Sequence, residues 1–270
     1  MNPHLTFARQ IARHAGRLLL ESFRVTGARA EYKSDNSVVT AVDLAADRLI
    51  SDALKEVYPG EAILSEELQP ESKDPKAGTW VIDPLDGTTN YSLGIPFWGV
   101  SIARLVNGWP ETAVVYFPVL DELYSAQKGE GAEFNGNPLH VESSMLDRPA
   151  AFFACCSRTH RRYFVSVPYK PRIFGCAAYN FCIPSRGIAL LACEARAKIW
   201  DIAAAWLILL EAGGFIEMLD GKAPFPIQPG TDYRKQNYAV LAAITPQLLS
   251  QGREWLQPKS RPSLPKEILE

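Results

Sequence analysis

Asp83-Pro84-Leu85-Asp86-Gly87-Thr88-Thr89-Asn90 is the stretch on which the reading of this chain turns, because two carboxylates are followed at once by a glycine and two hydroxyls. Hard divalent cations take several oxygen ligands in a small space, and this octapeptide concentrates such oxygens. Pro84 restricts the turn so that both carboxylates can converge, while Gly87 permits backbone N–H groups to approach an anion closely. A bare D-x-x-D-G is as often a turn that caps a helix, given the turn preferences of Asp and Gly. The full string is far more specific.

Just upstream, Trp80-Val81-Ile82 reads as a short strand broken by Pro84, and Glu61 to Glu67 reads as another that ends in carboxylates. Side chains alternate along a strand, so only one of Glu66 and Glu67 can face a shared site, and Glu66 is the expected one. Taken alone, paired glutamates are usually a solvated edge. Further out, apolar residues recur at three or four from Leu5 to Phe23, which predicts an amphipathic helix; a second is expected from Ala41 to Val57, opened by Thr40 and closed by Pro59-Gly60. Downstream, turn pairs at Asn107-Gly108, Asp121-Glu122 and Asn135-Gly136 divide an antiparallel meander between Phe97 and Leu139. From about residue 150 apolar segments alternate with helical ones, among them helices around Ala177 to Ile183 and Ile202 to Ala212 and a strand from Tyr238 to Ala243. The expectation is therefore an α+β half over 1–149 carrying the antiparallel sheet, and an α/β half over 150–270. Two acidic residues have local accounts of their own: Asp43 completes a capping pattern with Thr40, and Asp201 stands at the start of an apolar helix, where it would cap.

Composition narrows the function classes. At roughly 150 residues per domain, 270 residues make one large or two modest domains. A content of 47% apolar and 21% charged residues is that of a globular protein. Lys plus Arg is 28 against 30 Asp plus Glu, so no overall cationic surface is available to grip a phosphate backbone, and nucleic acid is not an expected partner. Five cysteines, an odd number without a C-x-x-C pair, support neither a disulfide framework nor a zinc site. Charged residues interrupt the N-terminal apolar stretch and no 18-residue apolar run occurs, so the expectation is a cytoplasmic protein without a membrane partner. Other catalytic patterns fail. Gly99-Val100-Ser101-Ile102-Ala103 lacks the final glycine of a nucleophile elbow and lies in a strand pattern, no phosphate-binding G-x-x-x-x-G-K-[ST] occurs, and the four histidines show no metal-ligand spacing.

Three blocks, Ser65-Glu66-Glu67, DPLDGTTNY over Asp83 to Tyr91, and WDIAAAWLILLEAGG over Trp200 to Gly214, together resemble the Mg-dependent, lithium-sensitive inositol monophosphatase superfamily. The upstream segment from Lys33 to Asp43 is similar to the family's corresponding stretch. The resemblance implies a layered αβαβα sandwich of the sugar-phosphatase type, in which the two halves meet across the active site. It implies that Glu66, Asp83 and the carbonyl of Leu85 hold one Mg²⁺, that Asp83, Asp86 and Asp201 hold a second, and that a third, weaker ion leans on Glu66. Mn²⁺ would satisfy the same oxygens. Thr88 and Asp43 would position and help deprotonate the attacking water, with Lys33 close by; Gly87 and Thr88, the loop Gly175-Cys176-Ala177, and Glu194 would contact the substrate. A homodimer is implied as well.

The chemistry agrees with the resemblance. A phosphate monoester hydrolyses very slowly in water, so its site must supply a nucleophile at neutral pH and neutralise charge on attacking and leaving oxygens, which clustered carboxylates holding two ions do. No serine, cysteine or histidine constellation offers a covalent route, and the spacing D-x-x-D is not the D-x-D of haloacid-dehalogenase phosphatases. The expected activity is hydrolysis of myo-inositol monophosphate or a related polyol or sugar phosphate by in-line attack of water. Alternatives on the same fold are a fructose-1,6-bisphosphatase, a 3′-phosphoadenosine 5′-phosphate phosphatase, a histidinol-phosphate phosphatase, or a non-catalytic scaffold. Two departures from the family bear on the choice. The segment between Cys156 and Gly175 is short and carries Arg158, His160, Arg161, Arg162, Lys170 and Arg172, which are either a solvated loop or a site for a second phosphate; and Leu190 stands where many members have an acidic residue near the pocket.

Overall fold

The computed structural model describes residues 2–26, 31–32, 38–39, 41–68, 78–141 and 150–259. Its elements run α1 (Pro3–Thr26), β1 (Glu31–Tyr32), β2 (Val38–Val39), α2 (Ala41–Val57), β3 (Ala62–Ser65), β4 (Thr79–Asp86), α3 (Thr88–Ser92), β5 (Gly99–Val106), β6 (Trp109–Phe117), β7 (Glu122–Gln127), β8 (Gly131–Phe134) and β9 (Asn137–Leu139). They continue as β10 (Phe152–Cys155), α4 (Thr159–Arg162), β11 (Tyr163–Val165), β12 (Lys170–Arg172), α5 (Ala177–Ser185), β13 (Ala189–Ala197), α6 (Ile199–Glu211), β14 (Phe215–Met218), β15 (Tyr238–Ala243), α7 (Pro246–Trp255) and β16 (Leu256–Pro258). Among the described residues no helix is long and apolar enough to cross a membrane.

Seven strands form one sheet in the order β3-β4-β5-β6-β7-β8-β9, antiparallel throughout except for β3 and β4, which run parallel. Five form the other, β12-β10-β13-β15-β14, with β10 parallel to both neighbours and β15 antiparallel to β13 and β14. Side-chain alternation sorts the layers. From the seven-stranded sheet, Trp80, Ile82, Ile102 and Val114 are buried with Leu19 of α1 and Ile50 of α2, while Val81, Ala103, Ala113 and Val115 are buried on the opposite face with α5 and α6. The five-stranded sheet covers α5 and α6 with Ala154, Ala192 and Val240, and on its far face Phe153, Cys193 and Leu241 meet Leu248 of α7. The result is the αβαβα sandwich that the resemblance implies. Its middle layer explains why α6 is apolar nearly all round: a helix between two sheets has no wet face.

Three local expectations change. Pro84 does not end its strand: β4 runs on to Asp86 because a register shift against β5 between Asp83 and Asp86 takes the proline, which has no N–H for the ladder, into a bulge. The helix expected from Ile202 starts three residues earlier, so Asp201 lies inside its first turn. Strand β3 stops at Ser65, leaving Glu66 and Glu67 on the turn beyond it. The hairpin residues behave as read, with Asn107, Asp121 and Asn135 all at positive φ. Ser101 is buried within β5, which removes it as a nucleophile elbow. Leu190 is buried on the α7 side of its sheet, away from the middle layer. Lys33, Thr40 and the tail after residue 259 lie outside the described residues.

The parallel pairing of β3 with β4 is locked at its start. Arg104 of β5 donates from Nε to both Glu61 oxygens at 3.0 and 2.9 Å and from Nη2 at 2.5 Å, with both side chains 10% exposed. Gly78, at φ +118°, packs against this pair, and its carbonyl accepts the Ala62 N–H at 3.0 Å. Arg104→Met would strand the Glu61 carboxylate in a largely dry position, so a loss of about 3 to 5 kcal/mol is expected in urea unfolding, whereas a loss under 1 kcal/mol would show the pair to be well hydrated.

Candidate functional site

The register Ser65↔Ile82 places the residue after β3 beside the Asp83 that follows Ile82, and the Glu66 N–H donates to the Ile82 carbonyl at 3.2 Å. Asp201 comes from the middle layer. Its Oδ2 accepts the Lys198 N–H at 2.8 Å, which folds the carboxylate back over the start of α6, and that start is tied to β5 by Ser101 Oγ donating to the Trp200 carbonyl at 3.2 Å. Glu66, Asp83 and Asp201 thus each offer a carboxylate oxygen within 4.8 Å of the others.

Such a trio is electrostatically expensive. Asp83 is 2% exposed, and burial holds its carboxyl well above the ordinary range, reinforced by Glu66, Asp86 and Asp201; the N–H of Leu85, donating to Oδ1 at 3.0 Å, opposes this only in part. Asp201 is pushed well up by burial and then by Asp86 and Glu66. Like charges this close in low dielectric resist ionisation, and a positive ion beside them would favour the charged forms.

Asp86 lies near the trio but is engaged elsewhere. Its carboxylate accepts the N–H groups of Ala177 at 3.1 Å and Ala178 at 2.5 Å and the Cys176 thiol at 3.1 Å, so it caps α5. Burial raises its pKa and these bonds restrain the rise. Sequence reading placed Asp86 with the metal ligands and Cys176 and Ala177 with the substrate loop; the structure joins the two groups through this carboxylate. Gly87 sits at φ +94° with space for no side chain, since a Cβ there would lie 2.8 Å from the Phe97 carbonyl. Thr88 Oγ1 donates to the Leu85 carbonyl at 3.0 Å, which fixes the hydroxyl and the carbonyl together. Asp43 is 1% exposed in the first turn of α2, outside the trio, and near enough to Tyr91 to add to the burial that pushes that phenol up to about 12.

The far end of the site is built from the C-terminal half. Glu194 is buried on β13 at about 6% exposure, Asn180 Nδ2 donates to it at 2.5 Å, and burial pushes its carboxyl up to about 7. Cys156 bonds the same carboxyl and the charge of Arg158 reaches it. Arg158 is itself exposed, as are His160, Arg161, Arg162, Lys170 and Arg172. Gly175, at φ +74°, would drive a Cβ to 2.9 Å from Asn90 Oδ1.

Two residues escaped the sequence reading. Asn90 donates from Nδ2 to the carbonyls of Phe97 at 2.7 Å and Phe174 at 2.6 Å, pinning the segment before Gly175 to the turn that carries Asp86. Asp47 is fully buried on α2; its Oδ1 accepts from Ser51 Oγ at 2.9 Å, and its Oδ2 accepts from Ser65 Oγ and from the Leu68 N–H at 3.3 Å, so it holds both flanks of Glu66. The available signal was spacing: Asp47 stands four residues after Asp43 on one helix face, among the apolar residues that face the core. The cysteines offer no competing chemistry, as all five are unpaired and burial raises their thiols, Cys155 to about 12 and Cys176 well above the usual range.

Residues 1–255 match the profile of the inositol monophosphatase family. Among curated proteins, the chain is 33% identical to the Nus factor SuhB of Pasteurella multocida over 96% of this chain and 97% of that protein, and 34% identical to the Nus factor SuhB of Escherichia coli K12 over 82% and 87%. Among solved structures, extragenic suppressor protein suhB of Bartonella henselae superposes with a TM-score of 0.78 at 26% identity, covering 94% of this chain and 98% of that one, and an IMPase of Thermotoga maritima does so with a TM-score of 0.78 at 26% identity, covering 94% and 97%.

Because Asp83, Asp201 and Glu194 all have pKa values raised above those of the unfolded chain, their protonated forms favour folding, and that contribution fades as pH rises through the folded values, near 7 for Glu194. A cation needs the ionised forms. Mg²⁺ at a hundredfold excess over its Kd is therefore expected to raise Tm by about 5 to 10 °C at pH 8 and by much less at pH 5, read by calorimetry; an equal rise at both pH values would place the ion elsewhere.

Proposed function

Since the chain belongs to the inositol monophosphatase family, we propose that it is a Mg²⁺-dependent phosphomonoesterase whose substrate is myo-inositol monophosphate or a related polyol or sugar phosphate. The observation that carries this reading is the convergence of Glu66, Asp83 and Asp201 within 4.8 Å in a site where burial and mutual repulsion oppose their ionisation. An oxygen-only donor set of this kind suits Mg²⁺, and Mn²⁺ next.

Glu66, Asp83 and the Leu85 carbonyl would hold one ion, Asp83, Asp86 and Asp201 a second, and Glu66 would support a weaker third. Bound there, Mg²⁺ supplies Lewis acidity: it makes water acidic enough to attack at neutral pH and neutralises the attacking and leaving oxygens of the phosphoryl group. The protein's own residues do the rest. Thr88, its hydroxyl proton held by the Leu85 carbonyl, keeps its oxygen lone pairs directed at an incoming water. Asp43 would take the proton that such a water gives up, while Thr88, its own proton committed to the Leu85 carbonyl, would act as the acceptor that orients it. Gly87, with no side chain in the way, lets the phosphate come against the backbone. At the other end Glu194, held by Asn180, accepts a hydroxyl of the alcohol portion, and Arg158 lies close enough to shift the charge balance there.

Phosphate release from inositol 1-phosphate, fructose 1,6-bisphosphate, 3′-phosphoadenosine 5′-phosphate and histidinol phosphate, each with Mg²⁺ and with EDTA, tests the reading. Turnover of a polyol phosphate that EDTA abolishes is expected. Asp83→Asn and Asp201→Asn should fall to the EDTA background, and Asp86→Asn by about a hundredfold or more, since it carries the ion site and the α5 cap together. Full activity of Asp83→Asn would overturn the assignment.

The names of the Pasteurella and Escherichia relatives favour a second reading, in which this chain too acts as a Nus factor. Complementation of a strain lacking its own relative separates the two. Rescue by Asp83→Asn would assign the cellular requirement to the folded surface, and loss of rescue would assign it to hydrolysis.

A further inference from the structure

Pairing of β3 with β4 ends at Ser65, so Glu66 stands on a turn whose Glu66 N–H bonds the Ile82 carbonyl. Its carboxylate lies within 4.8 Å of those of Asp83 and Asp201. Two further anchors hold the turn. Asp47 holds it from α2, as described above. The other comes from across the molecule: half-buried Arg234, in the stretch between β14 and β15, donates from Nη2 to the Leu68 carbonyl at 2.6 Å and to the Glu67 carbonyl at 3.4 Å. Leu68 is thereby gripped at both its N–H and its carbonyl, two residues after Glu66.

The stretch that bears Arg234 is itself fastened to α6. Lys198 Nζ donates to the carbonyls of Arg234 and, at 3.1 Å, Gln236, while the Lys198 backbone N–H holds Asp201. A continuous line of bonds therefore runs from Asp201 through Lys198 and Arg234 to the turn of Glu66. Resting on the metal reading of the site, we propose that Arg234 is a positioning residue: with Lys198 it straps the Glu66 turn to the N-terminus of α6 and sets how tightly the three carboxylates hold a divalent ion. Arginine suits the task because its fixed fork presents a charge-assisted donor to two successive carbonyls, whereas a lysine at the same place offers a compact charge on a flexible stem.

The experiment is Mn²⁺ binding to full-length protein followed by electron paramagnetic resonance, paired with hydrogen exchange of the metal-free protein, for wild type, Arg234→Ala, Arg234→Lys and Lys198→Met. Arg234→Ala is expected to weaken Mn²⁺ binding about tenfold or more, as loss of a partner behind a ligand does, with Arg234→Lys in between and Lys198→Met shifted the same way. Exchange over residues 62–68 should speed up while β5 and α6 stay protected, a local signature that general destabilisation would not produce. If Arg234→Ala does not fold, the lysine and Lys198 variants decide the matter. Unchanged Mn²⁺ affinity in the variants, with wild type binding, would overturn the strap alone. A wild type that binds no Mn²⁺ would overturn the metal reading and the strap with it.

Discussion

Repulsion among Glu66, Asp83 and Asp201 is the constraint to which the surrounding structure answers. Three carboxylates within 4.8 Å, with Asp83 nearly sealed from solvent, would separate if the backbone let them. Each is held by something that does not move: Glu66 by the Ile82 carbonyl, Asp83 by the N–H of Leu85, Asp201 by the N–H of Lys198. On the metal reading proposed above, such a cluster would gain most from the arrival of a cation, and part of the ion affinity would come at the cost of folding energy.

The carboxylates reach one another from different layers of the sandwich. Asp83 and Asp86 flank a bulge in the seven-stranded sheet, Glu66 follows that sheet's one parallel strand, and Asp201 comes from the helix between the sheets. Asp86 is the joint. By capping α5 through Ala177 and Ala178 while lying within electrostatic reach of Asp201, it ties the position of the loop at Gly175 to the carboxylate cluster. Asn90 repeats the connection a turn later through Phe174.

Much of this was legible in advance where the signal was local. The Ala41–Val57 helix, the Tyr238–Ala243 strand and the turns at Asn107 and Asn135 follow from periodicity and turn chemistry, which neighbours do not override. Pro84 was misread because proline ends strands in general; here the missing N–H coincides with a register shift, a property of the partner strand β5 and invisible in the residues themselves. Asp201 looked like a cap and is held like one, from a position three residues into α6. Asp47 offered only its spacing from Asp43 and Arg234 offered no signal, since their partners lie 18 and 166 residues away in sequence.

The sequence by itself determined which residue types are available for chemistry. Oxygen donors crowd around Asp83 and Asp86, no nucleophile has a base beside it, and the apolar periods call for helices and strands in an α+β half and an α/β half. Composition and spacing suffice for that because they act through short-range backbone geometry and through burial. The sequence already favoured Glu66 over Glu67 for the side of Asp83; only the tertiary structure decided that Asp86 gives its hydrogen bonds to α5 and that Asp47 and Arg234 hold the turn between them. Those outcomes depend on strand register and on contacts across the two sheets. Electrostatic interaction depends on distances of a few ångströms, which chain order does not contain until the fold has closed.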